Sequence, residues 1–292
     1  MECIGDSEYR LTGNPQRELL ADCSLEVAGK DIDGPAHART MLPPSTRFHM
    51  AFVDSEDLAA RMRTARAIIA SGFVPVPVIA ARRLESETML RQYLAELRAA
   101  GAGERVVIVG GDPRQPRGPY PDAGSLIVSG ALEQLGVQEV SVAGHPGGHP
   151  AASDAVLWQA IAAKIASLEQ RGLRAGVITQ FGFDAGQVLA WLAELRARGL
   201  TVPVRVGVPG PAAVRTLLAA AAKCDVRVSA PAAREYGFSL EDRTGTAAPD
   251  RFISALAAGY DRRLYGDVKL HFTPFGGVAA TADWISQFRS PG

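Results

Sequence analysis

The stretch AGVITQFGFDAGQVLAWLAELRARGLTVPVRVGV, residues 175–208, carries the alternation of apolar runs and a helical pattern that recurs along the chain. It opens with an apolar run at 175–181, continues through Asp184 as a helix cap, and then carries apolar residues at helical spacing. Gly199 stands where this helix would end, and a second β-branched run follows at 202–208. Two strands separated by a helix are typical of a βαβ unit in a parallel sheet.

The same alternation extends from this unit in both directions along the chain. Most of the predicted strands are almost continuously apolar, as expected of strands covered on both faces. Eight strands are predicted, at residues 23–27, 47–52, 74–80, 105–111, 137–144, 175–181, 202–208 and 268–275. Between them, helix starts are predicted at Ser55, at Ser86 and at Gly210 followed by Pro211.

No dinucleotide-binding glycine fingerprint follows the first predicted strand, so a closed barrel is favoured over an open doubly wound sheet. The predicted fold is α/β, a (β/α)8 TIM barrel formed as a single domain by residues 21–292. An irregular N-terminal leader, residues 1–20, is predicted to precede it. The long interval at 209–267 is predicted to hold at least two helices and an irregular stretch.

The charge, the apolar runs and the cysteines of the chain limit which kinds of partner and which cellular location are expected. The chain has 31 basic and 31 acidic residues, so its charge favours neither nucleic acid nor an anionic membrane. No run of about 18 apolar residues predicts a membrane span, and the first twenty residues lack the apolar core of a secretion signal. The three cysteines have no metal-ligand spacing, which suits a reducing cytosol. We therefore expect a cytoplasmic protein that binds small molecules.

The active site of a TIM barrel forms at the C-terminal ends of its strands. Polar residues at those positions are Glu26 on the first strand, Asp112 after Gly110 and Gly111, and Gln180 after the sixth strand. His271, Thr273 and the loop PFGG at 274–277 belong to the eighth strand and its end. Simpler interpretations stay open: Glu26 would pair with a basic residue, Asp112 would form a turn or cap, and Gln180 would bond to nearby backbone.

The fifth strand ends in HPGGHP, which brings His145 and His149 four residues apart. The intervening Pro146, Gly147 and Gly148 exclude a single helical face, and no Cys or carboxylate nearby completes a set of ligands, so no metal site is predicted. Glycines instead indicate backbone that approaches a flat or phosphorylated ligand. Lys164, on the following helix, is either a ligand-binding or a solvated lysine.

At these residues the sequence resembles the methylenetetrahydrofolate reductase family from about residue 22 to the end. Members are barrel enzymes that reduce 5,10-methylenetetrahydrofolate to 5-methyltetrahydrofolate, usually through FAD and a nicotinamide nucleotide. The matching blocks are SLEV (24–27), GGDP (110–113), VSVAGHPGGHP (140–150), ITQFGFD (178–184) and VPVRVGVPGPA (202–212). The resemblance implies an oxidoreductase of one-carbon metabolism and methionine biosynthesis.

The resemblance also assigns roles to residues of this chain. Glu26 and Asp112 are expected to be catalytic, with Glu26 as the acid that protonates the departing folate nitrogen, because desolvation favours a protonated carboxyl group. Substrate binding is assigned to Asp112, Gln180, Phe181 and Phe275. Cofactor binding is assigned to Gly110, Gly111, His145, His149 and Lys164.

Three positions depart from the family pattern, namely Val78, Gly110 and His145, and all three belong to the flavin side. FAD, expected from the resemblance, is therefore set against a flavin-free branch in which NADH or NADPH passes hydride directly. Two alternatives remain beside a reductase. One is another folate-linked barrel enzyme, for methyl transfer or linked to demethylation. The other is a non-catalytic folate- or flavin-binding protein on the same fold.

Overall fold

A computed structural model describes residues 14–53 and 55–289 of the chain. Eight parallel strands form one closed sheet: β1 (Ser24–Val27), β2 (Arg47–Met50), β3 (Val74–Ala80), β4 (Arg105–Val109), β5 (Glu139–Gly144), β6 (Arg174–Thr179), β7 (Val204–Pro209) and β10 (Val268–Thr273). Around the barrel their order is β1-β10-β7-β6-β5-β4-β3-β2. The predicted (β/α)8 TIM barrel is confirmed, and each of the eight strands lies where an apolar run predicts one.

Helices surround the barrel and bury one face against it. In the described residues they are α1 (Pro15–Leu20), α2 (Gly34–Ala38), α3 (Leu58–Ala70), α4 (Glu87–Ala99), α5 (Ala123–Val128), α6 (Ala131–Gln134), α7 (Asp154–Gln170), α8 (Ala185–Ala197), α9 (Val214–Lys223), α10 (Ala230–Tyr236), α11 (Asp250–Gly259), α12 (Arg262–Tyr265) and α13 (Val278–Arg289). Leu25, Ile79 and Val206, on three strands, are fully buried in the core that joins the helices to the sheet.

The leader contains a helix that the sequence analysis did not predict. Asn14 caps α1 by accepting a hydrogen bond from the Gln16 amide, and Pro15 occupies the first helical position. Leu19 and Leu20 are buried, so tertiary packing stabilises a helix too short to form alone. The prediction of an irregular leader is therefore wrong for Pro15–Leu20, and residues 1–13 lie outside the described residues.

The interval 209–267 begins with a strand rather than a helix. Short strands β8 (Ala212–Ala213) and β9 (Thr246–Ala247) pair antiparallel, and α9 begins only at Val214. The predicted helix start at Gly210 is therefore wrong, because pairing with β9 holds the backbone after Pro211 extended. The prediction of at least two helices in this interval is confirmed.

The start of α3 differs by two residues from the prediction at Ser55, whereas the caps at Ser86 and Asp184 are confirmed. The Asp57 carboxylate accepts a hydrogen bond from the Ala60 amide at 2.7 Å, so Asp57 is the N-cap. We expect Asp57→Ala to lower the free energy of unfolding by about 1 kcal/mol. Chemical denaturation measures this, with Ser55→Ala as the matched control. A larger loss in the Ser55 variant would contradict the assignment.

An ion-pair network closes the N-terminal end of the barrel, opposite the expected active site. The Glu139 carboxylate lies 2.6 Å from Arg47 and 3.3 Å from Arg105, and the Arg205 guanidinium lies 2.5 Å from Asp22. These pairs border a cavity of about 370 Å³. Charged groups at this end of a TIM barrel stabilise the fold, and the reacting groups are expected at the other end.

Candidate active site

A polar cluster occupies the barrel interior below its C-terminal mouth. Alternate residues of each strand face inward, so Ser24 and Glu26 on β1 stand beside His271 on β10 and His49 on β2. The Ser24 hydroxyl lies 2.9 Å from His271 Nδ1, and Glu26 Oε2 lies 3.9 Å from His271 Nε2. The two imidazole rings lie with their centroids 4.5 Å apart and their planes tilted by 30°. The predicted acid therefore adjoins two histidines.

Burial keeps both imidazoles neutral. It lowers the pKa of His271, and the Glu26 carboxylate offsets this only in part. It also lowers the pKa of His49 well below the usual range, with further contributions from His271 and from the arginines Arg205 and Arg47. His49 Nδ1 is buried and has no hydrogen-bond partner among the described residues. The simpler interpretation paired Glu26 with a lysine or arginine, and among the described residues Glu26 forms no such ion pair; its partner is the His271 imidazole.

Asp112 lies at the mouth as one half of an ion pair. Its carboxylate accepts two hydrogen bonds of 2.7 Å from the Arg83 guanidinium, through Nε and Nη2. The Asp112 side chain is 74% exposed, whereas that of Arg83 is only 14% exposed. Gly111 before it has a φ of +90°, which favours glycine, and Gly110 accepts a hydrogen bond from the Arg82 amide. Sequence reasoning missed Arg83, which follows β3 and has no motif of its own.

Phe181 and Phe275, two of the residues assigned to the substrate, are in contact, and Gln180 directly precedes Phe181. The Phe181 and Phe275 rings meet edge to face with centroids 5.0 Å apart, so the ends of β6 and β10 are in contact. Gln180 Oε1 accepts a hydrogen bond from the Phe181 amide at 3.1 Å. This is the local backbone bond of the simpler interpretation, and Phe181 itself is buried. In this arrangement Phe181 supports the site, and Gln180 and Phe275 are its more accessible members.

The interval 209–267 contributes an aromatic cluster that the sequence analysis left undescribed. Phe183 packs edge to face against Tyr236 and Phe238, with centroids 5.0 and 5.8 Å away, and also touches Phe181. The buried Tyr236 hydroxyl donates a 2.7 Å hydrogen bond to the carbonyl of Pro209, at the end of β7. Helix α10 is thus joined to the barrel mouth. The aromatic residues at 236 and 238 were the available signal.

The predicted cofactor residues form a second group at the end of β5. The rings of His145 and His149 meet edge to face at 5.2 Å, and His149 Nδ1 accepts a hydrogen bond from the Ala151 amide. Lys164 on α7 is half-buried, which lowers its pKa, while Asp122 acts in the opposite sense. No group of three potential metal ligands occurs in the part of the chain that the structure describes.

Two cavities flank the HPGGHP loop. One of about 190 Å³ lies between α7 and α8 and is lined by His145, Trp158 and Trp191. The other, of about 430 Å³, is lined by His149 together with Arg227 from the interval 209–267. The loop therefore lies between two recesses, as expected of backbone that approaches a ligand.

Protonation of His145 is expected to destabilise the fold. Burial, reinforced by His149 and Lys164, lowers its pKa from 6.5 to about 4. Between those values the unfolded chain binds the extra proton, so this residue makes the free energy of unfolding fall as pH drops from 6.5 towards 4. We expect His145→Gln to flatten that part of the curve. Denaturation at several pH values measures it, with exposed His37→Gln as the control; an unchanged slope in the His145 variant would contradict the assignment.

No known protein-family model matches this chain. Among solved structures it is similar to a provisionally assigned phosphonomutase of Burkholderia cenocepacia, with 14% identity over 87% of this chain and 88% of that one and a TM-score of 0.50. It is also similar to the dihydropteroate synthase of Thermus thermophilus, with 14% identity over 94% of both chains and a TM-score of 0.50. At this identity the likeness shows the barrel fold alone. No helix in the described ranges is long and apolar enough to cross a membrane.

Proposed function

We propose that this chain is an enzyme that reduces 5,10-methylenetetrahydrofolate to 5-methyltetrahydrofolate with NADH or NADPH. One observation carries the proposal. Within the interior cluster Glu26 is the member that solvent reaches, with a side chain that is 36% exposed, while the side chain of His271 is 4% exposed. Ser24 and His49 beside them are buried. The Glu26 carboxyl group is thus accessible to a bound substrate, as a proton donor must be, and the side chains beneath it are buried. The structure does not bury Glu26 itself, so the desolvation of this carboxyl group that the sequence analysis expected is not found in the free protein.

The reaction needs one proton and one hydride. Glu26 donates its proton to the folate nitrogen whose bond to the methylene carbon breaks, and the imidazolidine ring opens to an iminium. A reduced nicotinamide nucleotide, as the second substrate, would supply the hydride that turns the iminium carbon into the methyl group, and it would leave oxidised. Glu26 is left as a carboxylate and regains its proton from solvent. Asp112 stabilises the cationic iminium, and Gln180 offers a paired donor and acceptor to the pterin edge.

The residues expected to contact a flavin do not form a set that fits one. Val78 is apolar, Gly110 has no side chain, and burial keeps His145 neutral near pH 7. Of this group Lys164 is the cation, and burial disfavours its charge. Since Val78 and Gly110 offer no polar side chain to a flavin ring, we assign hydride donation to the nicotinamide itself and derive no step through a flavin.

The test is a turnover assay with no added flavin. Purified protein is mixed with methylenetetrahydrofolate and NADH or NADPH, and loss of the reduced nicotinamide absorbance is followed beside the visible spectrum of the protein. Substrate-dependent loss with no flavin band supports the proposal. Loss with a stoichiometric flavin band retains the reductase and overturns direct transfer. If neither nucleotide is oxidised, the reductase is overturned, and folate binding then favours another folate reaction or a binding protein.

A further inference from the structure

His271 lies in the cluster at a position where neither the barrel fold nor an ion pair requires a histidine. It is buried in the interior of the barrel. Its Nδ1 bonds to Ser24, its ring packs against that of His49, and its Nε2 faces the Glu26 carboxyl group. Burying an imidazole between a hydroxyl and a half-exposed carboxyl group costs more free energy than burying an apolar side chain of the same size. Its arrangement therefore calls for a role at Glu26.

We propose that His271 is a positioning residue that holds Glu26 in either of its protonation states. The imidazole changes tautomer between the two states, and in both of them Ser24 bonds to the ring nitrogen that does not face Glu26. This inference rests on the proposed function, in which Glu26 is the acid.

The hydroxyl of Ser24 makes both tautomers acceptable, because it donates or accepts. When Glu26 is a carboxylate, Ser24 donates to Nδ1 and the Nε2 hydrogen points at the carboxylate. When Glu26 is protonated, its hydroxyl donates to Nε2 and the Nδ1 hydrogen points at Ser24. No net charge develops on the imidazole in either state. The 3.9 Å gap between Nε2 and Oε2 closes to a hydrogen bond by a movement of about 1 Å of the half-exposed carboxyl group.

The surroundings of His271 keep it neutral. Ser24 and Glu26 face it from β1, His49 lies beside it on β2, and Arg205 acts on it from β7. Glu26 is the one acid in this set, and the desolvated position and the Arg205 guanidinium oppose an imidazolium. A charged His271 would hold Glu26 as a carboxylate and prevent it from acting as an acid. A neutral ring leaves the proton on Glu26 available to the substrate.

Two amide variants separate positioning from structure. Gln places its amide near Nε2 and retains a group directed at Glu26, whereas Asn places its amide near Nδ1 and retains only the bond to Ser24. We expect His271→Asn to lower kcat at least about tenfold with little change in KM, and His271→Gln to retain most of the activity. Denaturation of both variants reports stability. Equal losses in the two variants, in proportion to their stability, would overturn the proposal.

A second measurement needs no turnover. Nitrogen-15 NMR of histidine-labelled protein distinguishes the two tautomers from the imidazolium, and with five histidines in the chain the His271→Gln variant assigns the signals. We expect His271 to stay neutral from about pH 7 to about pH 8.5, and Glu26→Gln to change its Nε2 signal. An imidazolium in that range, or an Nε2 signal indifferent to Glu26→Gln, would overturn the proposal. Inactivity of the wild type, with the NMR result as expected, would instead overturn the proposed function alone.

Discussion

Glu26→Gln is expected to lower the turnover of methylenetetrahydrofolate by about two to four orders of magnitude, which is the usual contribution of a general acid. The amide keeps the size and hydrogen-bonding capacity of the carboxyl group but has no proton to donate. Since the fold around it is unchanged, the dissociation constant for the folate is expected to change little. Steady-state kinetics with a nicotinamide nucleotide measures the first quantity, and fluorescence titration with the folate measures the second.

A matched control separates the loss of this acid from a general effect of removing a carboxylate. Glu85→Gln makes the same chemical change at an exposed position next to the cap of α4, and its turnover is expected to equal that of the wild type. Near wild-type activity in Glu26→Gln would exclude Glu26 as the acid. A parallel loss of folate binding would show that Glu26 holds the substrate and does not act in the chemical step.

Tyr236→Ala is expected to lower the free energy of unfolding by about 3 to 5 kcal/mol, as for other buried aromatic residues cut back to alanine. The side chain is fully buried, packs against Phe183 and Phe238, and bonds to the carbonyl of Pro209. Because Phe183 also touches Phe181, we expect the same change to raise KM for the folate. Chemical denaturation and steady-state kinetics provide the two measurements.

Tyr236→Phe serves as the comparison, because it retains the ring and removes only the hydroxyl group. Loss of that hydrogen bond is expected to lower the free energy of unfolding by about 1 kcal/mol, and KM is expected to stay near the wild-type value. If the alanine variant unfolded at the same denaturant concentration as the wild type, α10 would not be coupled to the barrel through this residue. An unchanged KM in a destabilised alanine variant would limit Tyr236 to a structural role.

The fold was predictable because its signal is local and repeated. Most barrel strands are apolar runs that follow a helix ending at a glycine, so a strand at Val74–Ala80 follows from its own residues. Helix starts were harder. Asp184 has no acidic competitor next to it, whereas Ser55, Glu56 and Asp57 offer three adjacent caps, and only packing of α3 selects the last. Helix α1 is stabilised by the burial of Leu19 and Leu20, and six residues are too few to show a periodic pattern that would predict this burial.

The candidate site was predictable in its location and not in its contacts. The rule that reacting groups follow the C-terminal ends of barrel strands brought Glu26, Asp112 and Gln180 to one mouth. It did not predict that Arg83 would bind Asp112. The bond from Gln180 to nearby backbone was an alternative that the sequence left open, and only the structure shows that it forms. Arg83 follows a different strand from Asp112, and the bond of Gln180 depends on its side-chain torsion, so a single sequence does not reveal either contact.

The sequence by itself determined the barrel, the order of its strands along the chain and the end at which polar groups collect, since all three follow from periodicity and chain direction. Tertiary structure alone decided which side chains meet inside. Ser24 and His271 are 247 positions apart, yet closure of the sheet makes β1 and β10 neighbours and brings their side chains to 2.9 Å. Closure also removes water from the two imidazoles, and the pKa values of His49 and His271 are lowered for that reason.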